Sequence, residues 1–204
     1  MDPGGGLPSS WLPCPANMHV PTAIDTERLT LRVHRLDDFP ASVALWGDPE
    51  VTRYIGGRAF TEEEVWQRLL RYAGHWSLLG FGFWAIRERG SGRFLGEVGF
   101  ANGRRSLEPS FGDAPEIGWA LVPAAQGRGY ATEAARAVIA WGAARFGPEC
   151  RTVCMISPEN LPSLRVAEKC GYREFARTLY KDEPTILLER VPLAPPRGAQ
   201  GRGR

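Results

Sequence analysis

Residues 126–131 read Gln-Gly-Arg-Gly-Tyr-Ala and lie between an apolar, strand-like run and an alanine-rich run with helical periodicity. A glycine-bearing turn that opens a helix can bind phosphate, because its backbone N–H groups are not used by helical hydrogen bonds and the helix dipole adds positive charge. Glycine also lets a ligand approach the backbone closely. The segment therefore predicts a pyrophosphate-binding turn, and the alternative interpretation is a plain tight connection.

Two common nucleotide-binding motifs are absent from the sequence. It contains no G-x-x-x-x-G-K-[ST] segment, and the turn lacks the G-x-G-x-x-G spacing with an acidic residue about 20 positions later. ATP and NAD are therefore disfavoured as ligands of this turn.

The turn is similar to the R/Q-x-x-G-x-G/A signature of the Gcn5-related N-acetyltransferase (GNAT) superfamily. Gln126, Gly129 and Ala131 occupy the three fixed positions of that signature. The resemblance implies that the phosphate ligand is acetyl-coenzyme A, used as a co-substrate.

Three further segments resemble the RimJ/RimL-like branch of this superfamily, whose members acetylate ribosomal proteins. Thr26–Arg32 is similar to the opening strand of the branch, Glu116–Leu121 to its central strand, and Asn160–Tyr172 to its second coenzyme A motif. The resemblance covers about residues 24 to 192 and keeps the order of the motifs along the chain.

Coenzyme contacts are expected, on this resemblance, from the end of the central strand, the turn and the second motif. The Asn160 amide can both donate to and accept from the pantetheine amides, and Arg128 can add charge-assisted contacts to phosphate or simply face solvent. Ser163 could hold the sulfur, donate a proton through water, or serve only as a residue of the first helical turn. The complete expected set is Leu121, Val122, Gln126, Gly127, Arg128, Gly129, Tyr130, Ala131, Thr132, Asn160 and Ser163.

Acetyl transfer to an amine also needs a group that removes a proton. Unperturbed lysine amines have a pKa of about 10.4 and α-amines about 7.7–8.0, so a base matters more for the former. Glu116 opens the strand that should face the thioester and is the first candidate, and Glu97 on the neighbouring strand is the second. The alternative for either is a solvated carboxylate or one paired with arginine. Backbone N–H groups near the end of the central strand are expected to polarise the carbonyl.

The composition limits the class of protein. With 204 residues, 43% of them hydrophobic, the chain is long enough for one domain with its own core. A net charge of +2 gives no general electrostatic reason to bind nucleic acid or membrane. The four cysteines lack C-x-x-C spacing and no secretory leader begins the chain, which favours the cytoplasm. The three histidines are scattered along the sequence, so we predict no metal site. No apolar run approaches the roughly 18 residues of a membrane span.

The order of predicted elements is β-α-α-β-β-β-α-β-α-β-β. It predicts an α+β domain over residues 23–192, with a mixed, mainly antiparallel sheet and helices on both faces. The resemblance further implies that two parallel strands splay apart and leave a slot for the pantetheine arm. Residues 1–22 and 193–204 are rich in Gly and Pro and are expected to be disordered tails.

These observations lead to one main hypothesis and several alternatives. The main hypothesis is an N-acetyltransferase that moves an acetyl group from acetyl-CoA to a primary amine by direct attack in a ternary complex. The amine is either a protein N-terminal α-amine or part of a small molecule such as an amino sugar, polyamine or antibiotic. The alternatives are a non-catalytic acyl-CoA-binding sensor and an RNA-associated protein that uses its arginine-bearing tail. Dimers are common in the resembled branch, so a homodimer is possible.

Overall fold

A single eight-stranded sheet forms the centre of the computed structural model, which describes residues 23–191. Its strands are β1 (Ala23–Asp25), β2 (Leu29–Val33), β3 (Phe83–Glu88), β4 (Phe94–Ala101), β5 (Glu116–Leu121), β6 (Thr152–Ile156), β7 (Arg173–Tyr180) and β8 (Glu183–Arg190). The helices are α1 (Phe39–Trp46), α2 (Pro49–Thr52), α3 (Glu62–Leu79), α4 (Tyr130–Phe146) and α5 (Leu161–Lys169).

The strands lie in the order β1-β2-β3-β4-β5-β6-β8-β7. Neighbouring strands are antiparallel except for β5 and β6, which are parallel. The predicted α+β fold with a mixed, mainly antiparallel sheet is therefore confirmed. Two elements were not predicted from the sequence: the short edge strand β1 and the one-turn helix α2, which begins after the N-cap residue Asp48.

Helix α3 begins at a capping box and ends at a glycine. The Thr61 hydroxyl accepts a hydrogen bond from the Glu64 N–H at 3.3 Å, and the Glu64 carboxylate accepts one from the Thr61 N–H at 2.9 Å, which is the reciprocal capping box. Gly80 ends the helix with a φ of 67°, a left-handed conformation that glycine adopts without strain. The apolar face of the helix buries Val65, Leu69 and Tyr72.

Helices cover both faces of the sheet. Successive side chains along a strand point to opposite faces, and apolar side chains on each face pack against a helix layer. On β5, Ile117 and Leu121 belong to the large core cluster that also contains the buried face of α4. Ala120 points to the opposite side and packs with Leu45 and Trp46 of α1 and with the α3 side chain Val65. The strand that carries the candidate residues is thus held between helix layers, with its register fixed by β4.

Candidate active site

Strands β5 and β6 separate along their length. Their only register pair joins Glu116 to Val153, at the first residue of β5, and the Val153 N–H also donates to the Pro115 carbonyl at 3.0 Å. Beyond this point the facing edges of the two strands form no ladder. Because an unpaired strand edge presents free N–H and C=O groups, the gap is a slot in which an extended amide-bearing ligand can bind.

The turn between β5 and α4 forms the continuation of this slot. The Gln126 side-chain amide donates to the Leu121 carbonyl at 3.1 Å and ties the turn to the end of β5. Gly127 and Gly129 have φ values of 71° and 81°, so both positions favour glycine. Within the described chain, the backbone N–H groups of residues 127–132 donate to no acceptor. Free donors at the start of a 17-residue helix suit a pyrophosphate.

A network from the start of the domain holds this turn in place. Glu133 in the first turn of α4 accepts hydrogen bonds from the Thr26 hydroxyl at 2.6 Å, the Arg28 N–H at 2.9 Å and the Arg28 Nε at 2.7 Å. Burial alone would raise the pKa of Glu133, but the hydrogen bonds from Thr26 and Arg28 hold that pKa below its usual value. Arg28 also donates to the Arg128 carbonyl, and the guanidinium groups of Arg28 and Arg128 lie 4.6 and 5.0 Å from the Tyr130 ring centre. Two cations therefore flank the turn.

The second motif lies on the other side of the slot. Asn160 is the N-cap of α5, and its Oδ1 accepts a hydrogen bond from the Ser163 N–H at 3.1 Å. Its amide nitrogen donates to no group among residues 23–191 and is available to a ligand. The Trp119 Nε1 of β5 donates to the Ser163 Oγ at 3.3 Å, so this pair spans the gap between β5 and α5.

Glu116 is one half of a two-point ion pair at the closed end of the slot. Its carboxylate oxygens lie 2.5 and 2.8 Å from Nε and Nη2 of Arg105, and the Arg105 Nη1 donates to the Tyr180 hydroxyl at 2.9 Å. Burial lowers the pKa of Arg105, but the hydrogen bonds and charge interactions with Glu116 and Tyr180 together outweigh this and raise it above its usual value. Both residues line a pocket of about 280 Å³ formed by the segment 102–116, so the carboxylate lies beside open space.

Glu97 is placed differently, inside the protein between the sheet and helices α1 and α3. Its carboxylate is 1% exposed and accepts hydrogen bonds from the Ser42 hydroxyl at 2.9 Å, the Trp46 Nε1 at 3.0 Å and the Tyr72 hydroxyl at 2.9 Å. His34 Nε2 lies 3.3 Å away, at ion-pair distance but without hydrogen-bond alignment. Burial would raise the pKa of Glu97, but the contacts with His34 and Tyr72 hold it below its usual value. The charge is satisfied within the protein.

A family model described as an acetyltransferase (GNAT) domain matches residues 28–173, which is most of the chain. The chain belongs to the GNAT acetyltransferase family. YkkB, an uncharacterised protein of Bacillus subtilis, is 31% identical over 180 residues, which cover 85% of this chain and 98% of YkkB. A GNAT-family acetyltransferase structure from Bordetella pertussis is 35% identical, covers 83% of this chain and 99% of its own, and superposes with a TM-score of 0.73.

A more distant GNAT structure contains the coenzyme. It is RimL, a ribosomal L7/L12 alpha-N-protein acetyltransferase in complex with coenzyme A, which is 19% identical. It covers 83% of this chain and 98% of its own with a TM-score of 0.67. At this identity the likeness shows the fold alone. This fold is consistent with acetyl-CoA as the acetyl donor.

The GNAT fold brings some of the expected site residues together and separates others. The turn, Asn160 and Ser163 surround the slot, Glu116 lies at its closed end, and Glu97 lies within the neighbouring layer. Sequence reasoning missed the anchoring role of Arg28 and the pairing of Arg105 with Glu116. Arg28 lies within the segment that resembles the opening strand, which was the only signal for it.

The remaining expectations concern metal, membrane and the termini. Among residues 23–191, no group of three or more His, Cys, Asp or Glu side chains is placed to hold a metal ion. No helix in this range is both long and apolar enough to cross a membrane. The expected tails, 1–22 and 193–204, lie outside the described residues, as does the proposed RNA contact of the arginine-bearing tail. Burial raises the pKa of the Cys154 thiol, as expected of a cysteine that packs in the core.

Proposed function

We propose that the protein transfers an acetyl group from acetyl-CoA directly to a primary amine, with both substrates bound at once. The observation that carries the proposal is the continuous set of free backbone donors at residues 127–132, placed at the end of an open slot between β5 and β6. The slot suits the amide-bearing pantetheine arm, and the turn suits the pyrophosphate. Arg28 and Arg128 add positive charge beside the phosphates.

Glu116 is the proposed proton acceptor. It lies at the point from which the slot opens, and it lines a pocket large enough for part of an acceptor. The bidentate contact with Arg105 fixes the orientation of the carboxylate, and Tyr180 in turn fixes Arg105. As the amine nitrogen bonds to the acetyl carbon and the carbon–sulfur bond breaks, the amine proton passes to Glu116 directly or through water.

Ser163 is proposed to act on the sulfur. Its oxygen already accepts a hydrogen bond from Trp119, so its own O–H hydrogen is free to donate toward the slot. A hydroxyl donor beside the departing thiolate stabilises the negative charge that develops there. The free amide nitrogen of Asn160 is placed on the same side of the slot to bind a pantetheine carbonyl.

Glu97 is proposed to be a positioning residue rather than a base. Three protein donors occupy its carboxylate, and its side chain has almost no contact with solvent. A proton acceptor must come within hydrogen-bond reach of the amine or of one bridging water, and this carboxylate offers no free side. It instead fixes the positions of Trp46 and Tyr72 between the sheet and helices α1 and α3.

The acceptor is proposed to be a protein N-terminal α-amine, as in the RimJ/RimL-like branch, or a small amine. The first class is the one on which RimL, a protein of the same fold, acts, whereas the volume of about 280 Å³ in the pocket beside Glu116 suits the second. Steady-state assays with N-terminal peptides and with a panel of small amines separate the two. Coenzyme binding without turnover on either panel would support the non-catalytic sensor instead.

The coenzyme site is tested by calorimetric titration of acetyl-CoA, CoA and ATP. We expect both coenzyme A forms to bind and ATP to bind far more weakly. Gly129→Glu should abolish coenzyme binding, because it places a bulky anion on the phosphate turn. Gly147→Glu is the matched control, since Gly147 ends the same helix, also has a positive φ of 96° and has open space around it. Absence of coenzyme binding to the wild-type protein would overturn the proposal.

A further inference from the structure

Three arginines gather where helix α3 adjoins the acceptor pocket, and two of them are already paired. Arg68 donates to the Tyr72 hydroxyl at 3.2 Å and lies 3.8 Å from the Trp46 ring centre. Arg105 is held by Glu116 and Tyr180. These contacts occupy both guanidinium groups and fix their positions.

Arg71 is the third arginine, and its guanidinium has no partner. Within residues 23–191 it makes no ion pair, no hydrogen bond and no ring contact through its side chain. The residue is exposed overall, yet protein crowds its charged end enough that burial lowers its pKa. The charges of Arg68 and Arg105 lower the pKa of Arg71 further, and Glu116 opposes them. The charge of Arg71 therefore interacts with the charges of both residues of the Arg105–Glu116 pair.

Helix α3 places Arg71 one turn before a contact with the segment that lines the pocket. One turn later, His75 Nδ1 lies 2.8 Å from the Arg71 carbonyl, and His75 Nε2 lies 3.3 Å from the backbone nitrogen of Asn102. Asn102 begins the segment that lines the pocket. The other charged lining residues besides Arg105 and Glu116 are Arg104 and Asp113, which have opposite signs. Arg71 thus adds one positive charge without an ion-pair partner beside the segment that lines the pocket.

We infer that Arg71 binds a carboxylate on the acceptor, so that the acceptor is a small amine that also carries a carboxylate. The inference rests on the proposed function, in which the amine lies at Glu116. A planar guanidinium matches a carboxylate with two parallel hydrogen bonds, and its single charge balances the single charge of that group. An acceptor with several cationic amines is instead repelled by the arginines around the pocket.

The test is calorimetric and needs no turnover. A panel of α- and ω-amino acids, the matching carboxamides and spermidine is titrated into the wild-type protein saturated with CoA. We expect at least one amino acid to bind about ten- to a hundredfold more tightly than its carboxamide, the range for a hydrogen bond to a charged group. The chain length of the best ω-amino acid then measures the spacing between the amine and the carboxylate.

Variants assign this preference to one side chain. Arg71→Gln should remove the preference for the carboxylate, so that each amino acid and its carboxamide have affinities within about twofold of each other. Arg71→Lys should retain part of the preference because the charge remains. Arg173→Gln is the control, since Arg173 is an exposed arginine on β7 without a side-chain partner in the described chain. It should bind as the wild type does.

Three results would overturn the inference: no binding of any amino acid, equal binding of acid and carboxamide, or a preference that persists in Arg71→Gln. Failure of the proposed function gives a different result. In that case the carboxylate preference and its loss in Arg71→Gln remain, but no acetylated product forms from acetyl-CoA with any member of the panel.

Discussion

Glu116 lies opposite Val153 at the single point where strands β5 and β6 are paired. This pairing places the candidate base at the apex from which the two strands diverge. A ligand that enters the slot from the phosphate turn therefore has its far end directed toward that carboxylate. The position of Glu116 follows from the sheet register, whereas its orientation follows from Arg105.

Replacement of the proposed base should reduce the rate of acetyl transfer without weakening coenzyme binding. For Glu116→Gln we expect kcat to fall by about 10²–10⁴, the usual contribution of general base catalysis, with the Kd for acetyl-CoA unchanged. The loss should be larger for amines of high pKa than for α-amines, because fewer of the former are neutral at neutral pH. Steady-state kinetics and calorimetry measure both quantities.

A second strand carboxylate provides the control for Glu116. Glu189 on β8 is also held by an arginine, with 2.6 Å between its Oε2 and the Nε of Arg151. Glu189→Gln should leave kcat within about twofold of the wild type, since it breaks a comparable ion pair one strand away while the Glu116 carboxylate stays in place. Equal losses in the two variants would show that Glu116 acts only through its ion pair.

Glu97→Gln should affect stability more than the chemical step. The change weakens hydrogen bonds from Ser42, Trp46 and Tyr72 inside the protein, at a cost of about 1–3 kcal/mol in the free energy of unfolding. The pH dependence of kcat should keep its wild-type shape, because no proton is transferred to Glu97. Denaturant unfolding and pH–rate profiles measure the two effects. A pH profile that loses its acidic limb in this variant would instead identify Glu97 as the base.

Loss of the Ser163 hydroxyl should reduce kcat with little change in coenzyme affinity. Ser163→Ala removes a hydrogen-bond donor that stabilises the developing thiolate more than the bound thioester. We therefore expect about a tenfold fall in kcat. The effect should shrink with donors whose thiol leaving groups are more acidic. Ser91→Ala, in the turn between β3 and β4, is the control and should have wild-type kinetics. An unchanged kcat in Ser163→Ala would show that Ser163 has no role at the sulfur and is only a residue of the first turn of α5.

Acid should destabilise the protein partly through Asp38. Burial would raise the pKa of Asp38, but hydrogen bonds from Arg32, from the Arg35 backbone and from Arg87 hold it below its usual value. A carboxyl whose folded pKa is lowered stabilises the protein above its unfolded pKa, about 3.9, and loses that contribution as the pH falls through the folded value. The difference in Tm between wild type and Asp38→Asn should thus be largest near neutral pH and shrink in acid.

The size of this effect follows from the burial of the pair. Removal of one partner from a buried ion pair costs about 3 kcal/mol or more, so Asp38→Asn should lower the Tm clearly at neutral pH. The exposed pair of Glu174 and Arg177 gives the comparison, and Glu174→Gln should leave the Tm nearly unchanged. A difference in Tm that stays constant across the acid range would contradict the assigned role of Asp38.

The sequence predicted those features that are encoded locally. The capping box at Thr61, the glycine turn at Gly129 and the N-capped helix after Asn160 each depend on residues within a few positions, and the structure contains all three. Alternating apolar residues likewise indicated strand β2, at Leu29, Leu31 and Val33. These signals are short because backbone hydrogen bonds in helices and turns join near neighbours.

The contacts that complete the site could not be predicted, because they join distant parts of the chain. The hydrogen bonds between Arg28 and Glu133 span 105 residues, and the one between Ser163 and Trp119 spans 44. Whether Glu97 is solvated or buried depends on how α1 and α3 pack, and the sequence pattern is the same in both cases. The sequence therefore indicated which residues have suitable chemistry, and packing determined their surroundings.

The long span between Arg28 and Glu133 also sets when the coenzyme site can form during synthesis. Arg28, in the turn between β1 and β2, leaves the ribosome early, but its side chain cannot bind Glu133 until α4 has been made, more than 100 residues later. Contacts of such high sequence separation form late, since a large loop must close first. The phosphate turn is thus assembled only when most of the domain is present, so partly synthesised chains lack a finished coenzyme site.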